Sequence, residues 1–380
     1  MIAVAVPPSS RGADRRPVAH PDPRSGGCGL DACASGARAQ TASGPRGMLR
    51  AMGRTHPWRP FHPDPAQQAL APPESGNAIN GLGETEPRRA RVVYWAVDPD
   101  TIPHGRLQRW FYQVDPDNPD LAKARQARAR LLAAPIAPLQ GEPVQRSPQD
   151  WNAALAQWAA QADFEQWGVA RMDPAWVFEG QQVTQSRIVV IAVAHDPEAI
   201  ATAPRATAGA EVVRQYGRAA AGAKALAGWL RQQGWDAEPV TGPMAGKVLL
   251  IPPAQACGFG ELGKHGSLIN AELGASFRLS AVLTDAPLEP TPPRRFGVDD
   301  FCARCRVCED ACPPEAIGPR KQLVRGQWKW YVDFDRCLPF FNQTHGCAIC
   351  VAVCPWSRPG VGKSLAEKLA RRERRADGAP

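Results

Sequence analysis

Short apolar runs alternate with helical patterns through the middle of this 380-residue chain. Runs rich in Val and Ile predict buried strands at 91–97, 187–194, 247–251 and 277–283. Apolar residues at helical spacing predict helices over 121–134, 150–172 and 208–233, the last of them ended by Gly234. Strands that alternate with helices in this way predict an α/β or α+β core over residues 91–290.

The N-terminal part of the chain has a different composition. Residues 1–47 are rich in Pro, Gly, Ala, Ser and Arg and have no periodic apolar positions, so we predict that they are disordered. Cys28 and Cys33 in this segment are therefore expected to be idle thiols and not ligands. Residues 48–90 remain rich in Pro and Gly but contain aromatic residues, which predicts an extended arm lying on the core.

The C-terminal part begins after a Pro-rich hinge at 287–293. We predict a separate cysteine-rich module over residues 291–360 and a basic tail over residues 361–380. The longest apolar runs, such as 188–194, are far shorter than the roughly 20 residues that a membrane helix needs. The sequence therefore predicts no membrane span.

Eight of the 11 cysteines lie within 53 residues of the C-terminal module, in two runs that each end in Cys-Pro. Three thiolates on one C-x2-C-x2-C loop can bind one cube of iron and sulfur, while the cysteine before Pro reaches the other cube. This doubled spacing predicts two 4Fe-4S clusters. We assign Cys302, Cys305, Cys308 and Cys354 to cluster I, and Cys312, Cys337, Cys347 and Cys350 to cluster II. Cys337 is the least regular ligand, because nine residues separate it from Cys347.

Zinc and disulfides are the alternative uses of such a cysteine set. Structural zinc sites pair one C-x2-C with another or with histidines, and they do not require a C-x3-C-P ending in both halves. Disulfide frameworks belong to small secreted domains, and no secretory signal is evident at the start of this chain. Both alternatives fit the spacing less well than two clusters do.

The charge distribution bears on the partners of the protein. The net charge is +8, but nine Arg against three Asp give residues 1–60 a charge of +6. Six basic against three acidic side chains give residues 361–380 a charge of +3, so the rest of the chain carries −1. A nearly neutral core offers no broad basic face, so we do not expect nucleic acid as a partner.

A glycine-rich segment lies between the long predicted helix and the hinge. Five glycines fall within residues 258–274, which requires tight turns or a close approach of backbone to a large ligand. The letters G-F-G-E-L-G, from Gly258 to Gly263, are not a dinucleotide loop, because no preceding strand, following helix and later acidic residue complete that pattern.

At this segment the chain resembles the cobalamin-dependent reductive dehalogenases. The resemblance rests on G-x-G-E-x-G-(R/K)-x-G, the following L-I-x-x-E-x-G-x-x-x-R and V-x-T-D-x-P-L, and then the two-cluster module, and it spans about residues 187–356. Epoxyqueuosine reductases are a related family with the same layout. They typically carry Trp where Glu261 stands and a catalytic Asp before the glycines, whereas residues 248–255 contain no acid here. The dehalogenase side is therefore favoured.

The resemblance implies a cobalamin-binding core of nitroreductase-like type followed by a ferredoxin-like two-cluster module. It implies that Tyr216 delivers a proton to carbon and that Arg278 stabilises the phenolate, which is physically sensible for a cation beside a phenol. The cofactor-binding residues it implies come from the glycine segment: Gly258, Gly260, Glu261 and Gly263.

The expected reaction is reductive removal of halide from a small organohalide, with two 4Fe-4S clusters relaying electrons to cobalamin. Electrons are expected from an external low-potential donor of the ferredoxin or flavodoxin type, and the basic tail is a candidate docking site for an acidic donor. Oxygen-sensitive, thiolate-bound iron suits the cytoplasm. Two alternatives stay open: reduction of a modified nucleoside, as in epoxyqueuosine reductases, and a non-catalytic dicluster electron-transfer protein.

Overall fold

The computed structural model describes residues 58–242 and 246–377, and these residues belong to a single compact unit. The segment 1–47 that we predict to be disordered, with Cys28 and Cys33, lies outside the described residues, as does the beginning of the predicted arm. Within the described ranges, no helix is both long enough and apolar enough to cross a membrane.

The core combines helices with one main sheet. Its helices, with the short ones of the arm, are α1 (Pro65–Gln68), α2 (Gly76–Ile79), α3 (Gly105–Gln113), α4 (Pro119–Ala133), α5 (Pro148–Ala159), α6 (Pro197–Ile200), α7 (Ala206–Gln232) and α8 (Ile251–Ala256). Its strands are β1 (Gln166–Arg171), β2 (Arg187–Ala194), β3 (Ala237–Val240), β4 (Glu261–Leu262), β5 (Leu268–Ile269) and β6 (Phe277–Thr284). The main sheet has the order β1-β2-β6-β3, and every pair in it is antiparallel. The core is therefore of the α+β kind.

The cysteine-rich part follows with five helices and a hairpin. These are α9 (Val298–Arg304), α10 (Val307–Ala311), β7 (Gln322–Val324), β8 (Gln327–Lys329), α11 (Phe334–Gln343), α12 (Ile349–Ala352) and α13 (Val361–Asp377). Short 3-10 helices occur at Pro99–Thr101, Pro174–Trp176 and Pro355–Ser357.

Strand β2 is buried on both faces of the sheet. Val189, Ile191 and Val193 pack with α5 and α7, whereas the alternate residues Ile188 and Val190 pack on the opposite face with α8 and the glycine segment. Because successive side chains of a strand point to opposite faces, both sets must be apolar. This burial explains the unbroken apolar run, and the predicted strands at 187–194 and 277–283 are confirmed.

Helix α7 crosses one face of this sheet. Small residues allow a close approach: a Cβ added at Gly222 would lie 2.9 Å from the Ile191 Cδ1 atom. The helix ends before Gly234, which has a φ of +82° that other residues rarely adopt. The predicted helix over 208–233 is confirmed, and so is the predicted helix over 121–134, which corresponds to α4.

Three other predicted elements are wrong in whole or in part. The segment 91–97 is irregular, because the Gln108 side-chain amide, and not a neighbouring strand, bonds both the N–H and the C=O of Ala96. The predicted strand at 247–251 reduces to one bridge at Val248, since prolines at the first turn begin α8 directly afterwards. The helix predicted over 150–172 ends at Ala159 and is followed by β1, whose burial comes from pairing with β2.

The described part of the arm lies against the cysteine-rich part. The Phe61 and Phe340 rings are 5.0 Å apart, and the Gln67 amide donates to the Pro339 carbonyl at 3.1 Å, so both contacts are made to α11. The Asn77 amide donates to the Asp333 carboxylate, at the N-terminal cap of α11, at 2.9 Å. These contacts fix the helix that carries Cys337.

Candidate active site and cluster centres

The structure brings the eight predicted cluster ligands into two neighbouring groups. The pKa of the Cys308 thiol is raised to about 12 by burial and by its neighbours Cys302, Cys354 and Cys305. These four are the residues predicted for cluster I. The Cys308 thiol also contributes to the raised pKa of Cys350 in the other group, so the two groups lie side by side.

The second group contains the residues predicted for cluster II. Burial raises the pKa of Cys350 well above its usual value, and the thiols of Cys347, Cys337 and Cys312 contribute in the same direction. Cys337 is likewise raised, first by burial and then by Cys347 and Cys312. Thiols crowded in this way would be protonated alone, whereas a bound metal removes their protons, so both groups fit the binding of a cubane.

The long spacing after Cys337 has a simple structural origin. Cys337 lies on α11, and the chain must complete this helix before it returns with Cys347. The return loop has four consecutive residues with positive φ, from His345 at +54° to Ala348 at +67°. Such backbone conformations are strained for residues other than Gly and commonly occur at functional sites. The loop directs Cys347 back toward Cys337.

Two large cavities meet beside the second group. Their volumes are about 1100 Å³ and about 590 Å³. They share six lining residues: Trp95, Tyr216, Ser267, Arg278, Cys337 and Phe341. All four cysteines of the second group line the smaller cavity, whereas those of the first group line neither cavity. The larger cavity exceeds the roughly 300–1,000 Å³ of pockets for drug-sized ligands, so it suits a larger molecule.

Tyr216 and Arg278 lie together where the cavities meet. The Arg278 guanidinium carbon lies 5.0 Å from the centre of the Tyr216 ring. Both side chains are half-buried, and the Arg278 Nε atom is buried without a hydrogen-bond partner in the described protein. This unpaired N–H donor and the adjacent phenol hydroxyl could hydrogen-bond a ligand.

Arg128 is a residue of this site that the sequence did not reveal. It lies on α4, lines the smaller cavity, and places its guanidinium carbon 6.0 Å from the Tyr216 ring centre. Tyr216 therefore contacts two cations. The spacing of α4 gives no signal that would single out Arg128 from its other arginines, because only the packing of α4 on α7 brings it to Tyr216.

The predicted cofactor-binding residues of the glycine segment line neither cavity. The Glu261 carboxylate accepts the backbone N–H groups of Phe296 at 2.5 Å and Val298 at 3.2 Å, at the start of α9. A Cβ on Gly260 would lie 2.0 Å from the Ile269 carbonyl oxygen, and one on Gly258 would lie 2.7 Å from another carbonyl. These residues approach protein backbone, and their assignment as cofactor contacts remains a prediction.

The middle of the same segment does reach the cavities. His265, Gly266 and Ser267 line the smaller one, and Ser267 and Leu268 line the larger one. Burial lowers the pKa of His265 to about 4, its Nδ1 accepts the Ser267 N–H at 3.2 Å, and its buried Nε2 has no partner in the described protein. His265 is therefore a neutral side chain with an unused N–H.

Comparison with known proteins identifies the cysteine-rich part of the chain. Residues 301–357 match the model of a 4Fe-4S dicluster domain. The computed fold is similar to that of the catabolic reductive dehalogenase NpRdhA in complex with 3-bromo-4-hydroxybenzoic acid, with a TM-score of 0.60 and 22% identity over 78% of this chain and 46% of that one. A structure titled as suggesting a mechanism for B12-dependent dehalogenation has a TM-score of 0.59. The chain is thus an iron–sulfur protein with the reductive dehalogenase fold.

Curated sequence relatives match about half of the chain. The tetrachloroethene reductive dehalogenase of Dehalobacter restrictus is 35% identical over 207 residues, and that of Sulfurospirillum multivorans is 32% identical over 187 residues. These alignments cover 51% and 47% of this chain but only 37% of each relative. An epoxyqueuosine reductase from Synechococcus sp. is 33% identical over 158 residues, which are 36% of this chain and 44% of that protein. Over these stretches the chain is similar to reductive dehalogenases and, over a shorter stretch, to epoxyqueuosine reductases, and it spans less than half the length of each of these relatives.

Proposed function

We propose that this protein is an iron–sulfur, cobalamin-dependent oxidoreductase that removes halide from a small organohalide. The observation that carries the proposal is the position of Tyr216 and Arg278. The pair lies where the larger cavity, of about 1100 Å³, meets the cavity lined by the cysteines predicted for cluster II. A proton donor, an electron source and room for the cofactor are thereby adjacent.

Cobalamin would occupy the larger cavity, and the core around it would be of nitroreductase-like type. Gly242 and Gly246 line this cavity and have no side chains to keep a ligand from their backbone, and Leu268 lines it as well. Gly258, Gly260, Glu261 and Gly263 would act by holding the turn that carries Ser267 and Leu268 to the cavity. When bound, cobalamin supplies a reducible cobalt that accepts electrons from the clusters.

The protein residues would serve the proton and the electrons. Replacement of carbon-bound halogen by hydrogen consumes two electrons and one proton and releases one halide ion. The Tyr216 hydroxyl would donate the proton to carbon, and the Arg278 guanidinium would stabilise the phenolate that remains. The four cysteines predicted for cluster II line the smaller cavity, so electrons would pass from cluster I to cluster II and then to the cofactor.

Electrons would come from an external low-potential protein of the ferredoxin or flavodoxin type. Leu365, Ala366 and Leu369 of α13 pack on the core that includes Cys302 and Cys354 of cluster I. The exposed face of the same helix carries its basic side chains, which suits an acidic donor: Lys363, Lys368, Arg371, Arg372, Arg374 and Arg375. We propose the cytoplasm as the compartment, because two clusters require eight reduced thiols.

Salt and charge reversal test the donor site. In stopped-flow reduction by an acidic flavodoxin, Arg371→Glu with Arg372→Glu should slow cluster reduction, and the wild-type rate should fall steeply with ionic strength. Reduction by the small reductant dithionite serves as the control and should not change. A donor rate that is insensitive to both perturbations excludes this helix as the docking surface.

The reaction is tested by anaerobic purification with cobalamin supplied, followed by iron, sulfide and cobalt analysis of one sample. About eight irons per chain and one cobalt, with halide release from chlorinated ethenes or halogenated phenols, support the proposal. Eight irons without cobalt favour the dicluster electron-transfer protein. Bound cobalt without halide release, together with reduction of an epoxide on a modified nucleoside, favours the activity of the epoxyqueuosine reductases, to which this chain is also similar.

A further inference from the structure

Lys264 is a buried cation within the glycine segment. Its side chain is 2% exposed, its Nζ donates to the Cys305 carbonyl at 2.8 Å, and it lies 3.3 Å from the Glu309 carboxylate, which is itself 13% exposed. A lysine buried to this extent requires a partner to remain charged, and Glu309 supplies one. Neither residue lines the two cavities, so the proposed reaction leaves both unexplained.

The position of Lys264 favours one cluster over the other. Its backbone N–H bonds the Cys302 sulfur, and its charge opposes the rise in pKa that burial imposes on the Cys302 and Cys308 thiols. Both cysteines are predicted ligands of cluster I. In the other group, the nearby cation is Arg59, which donates to the Cys312 carbonyl at 2.5 Å but whose side chain is 30% exposed and therefore screened by water.

We propose that Lys264 selectively raises the reduction potential of cluster I, and that Glu309 limits this increase. Reduction adds one negative charge to a cluster, and a fixed cation in a poorly polarisable interior stabilises the reduced form more than the oxidised form. Cluster I lies away from the cavities and would receive electrons first. A raised potential makes it a better acceptor from an external donor. The inference depends on the two clusters and not on cobalamin or the substrate.

The test is a redox titration of the anaerobic holoprotein, followed by electron paramagnetic resonance. Lys264→Gln should lower the reduction potential of cluster I, and Glu309→Gln should raise it. Each variant should change the ratio of reduced to oxidised cluster I about tenfold at a fixed potential, which for one electron corresponds to a shift of about 59 mV. The double variant should return near the wild-type value. Cluster II is the internal reference, and Cys337→Ser protein identifies its signal by loss.

Lys321→Gln is the matched control. Lys321 lies on the same Trp330 ring as Lys264, at 5.8 Å against 5.2 Å, but its side chain is 36% exposed and pairs with Asp299 at 2.6 Å. Its removal should shift the cluster I potential much less. Equal shifts of both clusters, or shifts of the same sign in Lys264→Gln and Glu309→Gln, overturn the proposal. If Lys264→Gln does not retain iron, the Glu309→Gln shift decides alone.

Discussion

Replacing Tyr216 by Phe tests whether this phenol delivers the proton. Of the four tyrosines, Tyr216 is the one that lines both cavities, and the change removes one oxygen atom while leaving the packed ring in place. Loss of a positioned general acid typically lowers a rate by roughly 10²–10⁴-fold. We expect the rate of halide release to fall by that factor, with iron and cobalt contents unchanged.

Arg278 should act through Tyr216. The Arg278 guanidinium carbon lies 5.0 Å from the centre of the Tyr216 ring, and two opposite charges about that far apart at an effective dielectric constant of about 20 attract each other by about 3 kcal/mol. Since 1.36 kcal/mol corresponds to a factor of ten in rate, Arg278→Met should slow turnover by about two orders of magnitude. In the Tyr216→Phe background the same change should cost much less, because no phenolate forms there.

The assay is halide release by anaerobic protein with a chemical reductant, so that the natural donor is not required. Tyr112→Phe is the matched control: Tyr112 lines only the smaller of the two cavities and has the Arg125 guanidinium 5.2 Å from its ring centre. It should retain near wild-type activity. Fully loaded Tyr216→Phe protein with wild-type turnover refutes a proton-donor role, and equal costs of Arg278→Met in both backgrounds refute the coupling.

Three further predictions concern the clusters and the stability of the fold. Cys337→Ser should lose about half of the iron, measured per chain, and keep the cluster I signal. Burial, assisted by the charge of Arg278, lowers the pKa of His195 to about 2, so below pH 6.5 protonation of His195 favours the unfolded state. The free energy of unfolding should therefore fall by about 1.4 kcal/mol per pH unit as the pH decreases. His195→Asn should flatten this slope, measured by thermal unfolding from pH 6.5 to 5. Gly274→Ala should destabilise the fold far more than Gly180→Ala. At Gly274 φ is +63° and an added Cβ would lie 2.4 Å from a backbone carbonyl oxygen. At Gly180 φ is +77° and an added Cβ would meet open space, so only the left-handed conformation would cost about 1–2 kcal/mol.

Local sequence patterns predict the parts of the fold that depend on local physics. The strand at 187–194 can be predicted because both of its faces are buried. Helix α7 can be predicted because its helical spacing of apolar residues ends where Gly234 indicates a C-terminus. The apolar segment 91–97 is wrongly predicted as a strand, because the Gln108 side chain, and not a neighbouring strand, bonds the N–H and the C=O of Ala96. The spacing of apolar residues cannot show that a side chain, and not a neighbouring strand, bonds the backbone.

The candidate site divides in the same way. Cysteine spacing is a local signal, so the sequence alone yields a complete prediction of two four-cysteine ligand sets. Arg128 is recruited from a different helix by packing, so its approach to Tyr216 was not predictable. The environment of Lys264 was hidden for the same reason, because its partner Glu309 is 45 residues away in the chain.

The glycine segment shows how one motif can serve two purposes. Glu261 holds the start of α9, and Gly274 admits the Trp356 backbone, so the segment fastens the sheet to the cysteine-rich part. Between these anchors, Ser267 and Leu268 reach the larger cavity. Electron transfer from a cluster to a bound cofactor requires a fixed separation between them. The glycine segment would provide that separation, because both of its ends contact the cysteine-rich part and its middle lines the cavity. The resemblance singled out this segment but could not distinguish glycines that admit protein backbone from those that would admit a ligand, because both require the same absence of a side chain.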